Sequence, residues 1–405
     1  MILSPVSFED PSLLGPSSLF AAFFAASIAI SLLTLVLLFL LRGGRTILHF
    51  GAKPLRLFVL LLIARGFLPI EFYTPSFPFT FTIYSKKLLP ALRDLLLAPI
   101  WHSDFFTITP ALLLVFLWTG GFLLSLLRKL QGYFSCAKVI YTLPEVLDAD
   151  ALSLLQEVWK SLFPHKKASI RLVRAAHFCS PAIWGIRNPV IILPNLLYTL
   201  EELRYIFFHE LLHYKHRDFL LKLSLDALLS IHWWNPFLTR CLMPAVTQTQ
   251  ELLVDEHLTR TLCHAEKAKY LEVLSKTLCF QKNMISQNPE QLYTLADRNC
   301  KRAVLQRLHY IIDPPAKRFF IRSAALCMVL FLLSYSFIFD TYYEHITDED
   351  GERVFQNIEG QTFYIKNGEL FDLYMQNEYV GSFPQIVEDF KNVPVYNNIA
   401  EVHIL

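Results

Sequence analysis

Between Ser18 and Leu41 the chain runs SLFAAFFAASIAISLLTLVLLFLL without one charged residue. A helix needs about 20 apolar residues to cross roughly 30 Å of hydrocarbon, so this run reads as a membrane span. It is too long for the apolar core of a signal peptide, and no basic stretch precedes it. Composition agrees: 54% of the 405 residues are hydrophobic and 18% charged, whereas soluble domains carry about a quarter charged residues. That balance excludes a purely cytosolic enzyme, a disordered chain and a secreted disulfide-rich one.

Three more runs extend the pattern to four spans, at 18–41, 54–71, 108–127 and 319–340. The second contains Arg65, a charge that either snorkels to the interface or is paired inside the membrane. Lys and Arg in short flanks stay on the cytoplasmic side. The 42–53 link and its flank hold Arg42, Arg45, Lys53 and Arg56 and no acid. Alternation then places residues 1–17, 72–107 and 341–405 outside and 128–318 inside, as expected of a multi-pass bacterial cell-membrane protein with both termini extracellular. All seven cysteines fall in the inner region or the last span, as thiols kept reduced should. The tail from Thr341 carries three bases against twelve acids, a balance of −9, leaving +11 on the other 340 residues. In the outer loop, KKLLPALRDLLLAPIW has the amphipathic pattern of a helix lying on the membrane surface.

The inner 128–318 stretch has ordinary globular composition and room for one sizeable domain. Thr199 followed by Glu202 is a capping box that predicts a helix running on through ELRYIFFHELLHYKHRDFLLKLSLDALL without Gly or Pro. On it, His209 and His213 stand four positions apart, about 40° around the helix, so both imidazoles can reach one ion. Glu210 sits beside the first, placed as a general base. Hydrolytic zinc keeps three protein ligands and one open position, so a third donor is needed. Thr247–Thr261 offers Glu251, Asp255, Glu256 and His257. Glu251 and Asp255 share one face, with Glu256 and His257 turned about 140° and 240° away. If Glu251 is the ligand, Asp255 is a neighbour that orients a liganding histidine. His216 lies about 10.5 Å further along a continuous helix than His209, too far to share the ion, and reads as a surface residue. His232, in IHWWNPF, reads as packing at a Trp-rich helix end.

HELLHYKHRDFLLKL, IHWWNPF and ELLVDEHL together resemble the membrane-embedded zinc metallopeptidases of the bacterial beta-lactam sensor and antirepressor type (BlaR/MecR). SPAIWGIRNPVIILPNLL, ARGFLPIEF and FPFT are similar to further segments of that family, and the likeness covers most of residues 20–340. It implies a cytoplasmic α+β zincin domain of gluzincin type between spans three and four. It further implies Zn2+ on His209, His213 and Glu251, Glu210 as the base and Asp255 as the orienting carboxylate. By the same resemblance Val190, Ile191 and Ile192 form an edge strand that pairs with an extended substrate; composition alone favours an ordinary buried strand.

The tail departs from the best-known members, whose outer penicillin-binding domain carries an acylated serine in Ser-x-x-Lys. Its one serine is Ser382, followed three residues later by Gln385, so covalent beta-lactam sensing by this chain is not expected. A small β-rich acidic module fits QTFYIKNGELFDLYM better, with an unidentified outer ligand or partner protein. The expected partners are then the lipid bilayer and a cytosolic protein substrate such as a transcriptional repressor, with self-cleavage as a further outcome. Direct nucleic-acid binding is not expected, and a homodimer is compatible. A catalytically silent receptor with a structural zinc is the non-enzyme alternative. An intramembrane protease fits poorly, because the motif helix holds too many charges for lipid.

Overall fold

The computed structural model describes residues 16–43, 47, 50–69, 81–85, 91–92, 95–96, 98–102, 107–167, 169–176, 178–260, 262–287, 300–312, 320–335, 337–341, 346–347, 353–354, 362–368, 370–375, 378–386 and 393–396. They divide into two compact units, residues 1–83 with 93–340, and 84–92 with 341–405.

In the first unit the Ser18–Leu41 run lies within helix Pro16–Arg42. The 108–127 span begins as helix Pro110–Thr142, capped by the Thr109 hydroxyl and by Pro110 in its first turn. It continues 15 residues past the expected boundary, because Arg128 and Lys129 favour helix as much as they favour water. These two helices are long and apolar enough to cross a membrane. The other two expected spans are shorter. Residues 54–71 yield helix Ala52–Phe67, of 16 residues, which stops where Leu68 precedes Pro69 and is pushed out of the helical region. Residues 319–340 yield helix Phe320–Leu333, of 14 residues, closed by Ser334 donating to the Phe331 carbonyl at 2.6 Å, with strand Phe337–Thr341 beyond it. At 1.5 Å per residue these reach only about 24 and 21 Å.

Arg65 is enclosed by protein. It is fully buried, with its guanidinium 4.2 Å from the Tyr335 ring centre and donating to the Leu68 carbonyl at 3.0 Å. Half of the amphipathic segment in the outer loop, including Lys86, Lys87, Arg93 and Asp94, lies outside the described residues. Nearby, Trp101–His102 pairs antiparallel with Thr107–Ile108.

The expected long motif helix is two helices. Leu200–Lys215 starts at the capping box, where Glu202 N donates to Thr199 Oγ1 at 3.3 Å and Thr199 N to Glu202 Oε2 at 2.7 Å. It ends at His216, and Arg217 adopts φ 58°, the left-handed conformation that breaks a helix without help from Gly or Pro. Asp218–Ile231 then leaves in a new direction. Its Leu225, Leu228 and Leu229 share a buried cluster with Leu33 and Leu37 of the first helix, Phe58 and Leu62 of Ala52–Phe67, and Leu238, Leu242 and Val246 of helix Pro236–Thr259. Burying this apolar stripe supplies the driving force for the bend.

A three-stranded sheet comprises Arg171–Ala175, Ala182–Trp184 and Val190–Pro194. Val190, Ile191 and Ile192, expected at an edge, lie in the central strand. That strand pairs parallel with Arg171–Ala175 and antiparallel with Ala182–Trp184. Both faces are covered as well: Ile191 and Leu193 pack with Phe207 and Leu211 of the motif helix, Val190 and Ile192 with Ile140 and Val173. The continuous apolar run reflects two buried faces.

The second unit holds a four-stranded sheet in the order Glu378–Phe383, Leu370–Met375, Thr362–Asn367, Val395–Tyr396, with Tyr364, Leu373 and Met375 as its buried centre. Gly368 turns the hairpin at φ 65°, where a side chain would be strained.

Candidate metal centre

His209 and His213 approach Glu251, which projects from helix Pro236–Thr259 packed against the motif helix. The histidine Nε2 atoms are 3.2 Å apart. His209 Nε2 lies 3.4 Å from Glu251 Oε2, and His213 Nε2 lies 3.5 Å from Glu251 Oε1. Ligands about 2.1 Å from a tetrahedral zinc are separated by roughly 3.4 Å, so three edges of the tetrahedron are present and the donor set fits zinc. Among the described residues this is the one such His, Cys, Asp and Glu grouping.

Each imidazole is held from behind through its other nitrogen, which leaves Nε2 facing the centre. His213 Nδ1 is 2.8 Å from Asp218 Oδ2. His209 Nδ1 is 2.9 Å from the Tyr270 hydroxyl, which donates to Asp255 Oδ1 at 2.6 Å. That hydroxyl therefore accepts from His209. Asp255, expected to orient a histidine itself, stands 3.7 Å from His209 Nδ1 and acts through Tyr270. Arg307, from helix Cys300–Ile312, donates to Asp255 at 2.7 and 2.9 Å and lies 2.8 Å from Glu251 Oε2.

Charge follows burial and pairing. Glu210 is 7% exposed, and burial pushes its carboxyl pKa up against the opposing pull of His209 and His213. Such a shift moves a carboxylate towards general-base duty near neutral pH. Burial also opposes ionisation of Glu251, but Arg307 and the two histidines outweigh it and hold this carboxyl well below the usual range. Adjacent carboxylates are thus set to different tasks.

A protein-family model described as "BlaR1 peptidase M56" matches residues 91–311, a stretch that contains every residue of this centre. The chain belongs to that family. It is also 26% identical over 200 residues to "Regulatory protein BlaR1" of Bacillus licheniformis, an alignment covering 49% of this chain and 33% of the relative. The chain therefore spans about a third of the curated relative it matches. The family's description names a peptidase, and the relative's name is that of a regulatory protein.

Three residues of this M56 centre escaped the sequence reading. Asp218 was hidden by the helix break, because on a continuous helix it would point about 140° away from His213. Tyr270 and Arg307 lie on later helices and carry no spacing signal. Two further expectations resolve differently. His216 is half-buried, with its ring 5.3 Å from that of His257, and takes no part in the centre. His232 is fully buried and stacked on Phe23 at 5.0 Å, a packing role as expected.

Proposed function

We propose that this chain is a membrane-bound zinc metalloendopeptidase of signal transduction. An outer event acts through the apolar helices, and the cytoplasmic centre responds by cleaving a cytosolic transcriptional repressor or the chain itself. The observation that carries this reading is the tetrahedral spacing of His209, His213 and Glu251 with the buried Glu210 beside them. Four passes, with the N-terminus and the acidic tail outside, remain the topology we favour from the basic flanks.

Zinc, when bound, supplies Lewis acidity to the scissile carbonyl and to the attacking water. The protein contributes the rest. Glu210 takes the water's proton and returns it to the leaving amide nitrogen, which its raised pKa suits. Asp218 and Tyr270 fix the ring orientation of the two histidines. With the central strand closed on both sides, an extended substrate pairs instead with the outer strand Ala182–Trp184, which packs against the motif helix.

The test is turnover. Purified full-length protein loaded with zinc is incubated with candidate winged-helix repressors, and Glu210→Gln is the control. Cleavage that persists in the variant would sink the assignment, and zinc binding without turnover of any substrate would favour the silent receptor.

A further inference from the structure

Helix Cys300–Ile312 lies outside the HExxH and ExxxD segments, yet one of its side chains reaches two carboxylates of the metal centre. The Arg307 side chain is 11% exposed, Glu251 25% and Asp255 0%. Its Nε and Nη2 fork onto Asp255, and its Nη1 takes Oε2 of Glu251. A planar guanidinium with fixed donor directions holds two carboxylates in a set mutual orientation, which a lysine ammonium does not. With Oε2 engaged, Glu251 presents Oε1 on the His213 side, at 3.5 Å.

The helix that carries Arg307 is itself seated. The Tyr310 hydroxyl donates to Glu256 at 2.6 Å and accepts from Ala52 N at 2.8 Å, and Gln306 Nε2 donates to the Leu41 carbonyl at 2.5 Å. Arg307 is thereby fixed against the ends of the first two apolar helices as well as against the centre.

We propose that Arg307 is a positioning residue for the metal centre: it sets the rotamer of Glu251 and, through Asp255 and Tyr270, that of His209. The inference rests on the zinc reading above. Two effects of Arg307 oppose each other. Its positive charge beside Glu251 weakens the attraction for a cation, and its fork prepays the ordering of the ligands. Positioning wins, because both carboxylates are largely desolvated and free to turn once the fork is lost, and partners of metal ligands are typically worth about 10–100-fold in affinity.

Zinc affinity by chelator competition, together with the visible spectrum of the cobalt(II)-substituted full-length protein, tests this in Arg307→Lys, Arg307→Gln and Tyr310→Phe. Positioning requires weaker zinc binding in both Arg307 variants, by about tenfold or more, with an altered cobalt spectrum and with Tyr310→Phe at the wild-type affinity. Unchanged affinity in Arg307→Lys with tighter binding in Arg307→Gln would show a purely electrostatic role and overturn the proposal. An equal loss in Tyr310→Phe would assign the effect to helix packing and overturn it too. Should one Arg307 variant fail to fold, the other carries the comparison. Wild-type protein that binds no zinc, or binds it equally well after His209→Ala, would instead remove the metal reading itself.

Discussion

Arg56 places Nη1 2.9 Å from Oδ1 of the buried Asp218, a partly buried pair that joins an apolar helix to the helix following the motif. The other oxygen of the same carboxylate faces His213 Nδ1 at 2.8 Å. One aspartate thus answers both to a cation on an apolar helix and to a candidate metal ligand. Asp218→Ala is expected to weaken zinc binding by about 10–100-fold, the usual effect of losing the carboxylate behind a ligand histidine. Chelator competition measures it, and wild-type affinity would show that His213 needs no such support.

Glu210→Gln should separate binding from chemistry. Glutamine keeps the shape and loses the base, so hydrolysis should fall by about 10²–10⁴-fold while zinc stoichiometry stays at the wild-type value. A parallel fall in zinc content would move Glu210 from catalysis to structure.

His216 provides a pH readout at a residue outside the candidate metal centre. Burial, aided by the neighbouring Arg56, depresses its pKa from 6.5 to about 4, although Asp218 pulls the other way. Its folded value lies below its unfolded one, so the unfolded chain takes up the proton first as the solution is acidified. The stability it contributes is complete above 6.5 and is lost as pH falls towards 4. Melting temperatures across that window should therefore decline less steeply in His216→Gln than in the wild type. Parallel curves would refute the assignment.

Two adjacent glycines make a packing test. A Cβ on Gly121 would meet the Trp233 ring at 2.2 Å, whereas one on Gly120 would meet nothing within 4 Å. The Trp233 ring cannot retreat without losing its Nε1 hydrogen bond to the Trp118 carbonyl at 3.2 Å. Gly121→Ala should cost about 1–3 kcal/mol through overpacking, and Gly120→Ala should be neutral or slightly stabilising through helix propensity. Thermal unfolding in detergent compares them.

The candidate metal ligands were legible because their chemistry imposes a spacing: His209 and His213 stand four positions apart, and the carboxylates of Glu251 and Asp255 repeat that interval. The capping box at Thr199 was legible for the same reason, since Glu202 must lie three residues on. What the pattern concealed was tertiary. Arg217 breaks a helix that no Gly or Pro interrupts, and only the burial of Leu225, Leu228 and Leu229 explains the turn. Val190–Ile192 is equally apolar as an edge or as a centre, and pairing alone decides between them. The ends of the short apolar helices depended on Pro69 and Ser334, which hydropathy averages away.

Helix Pro110–Thr142 is 33 residues long and apolar enough to cross a membrane; a crossing takes about 20 residues, and the remainder would extend it by roughly 20 Å. Near its far end Ile140 is packed against Val173, Val190 and Ile192. A tilt of about ten degrees at the start of that extension would swing its far end through about 3 Å, comparable to the whole length of a backbone hydrogen bond. The sheet is thereby tied to the inclination of a single helix, and a change of a few degrees in its angle shifts Ile140 by a distance that Val173, Val190 and Ile192 must follow or lose contact with.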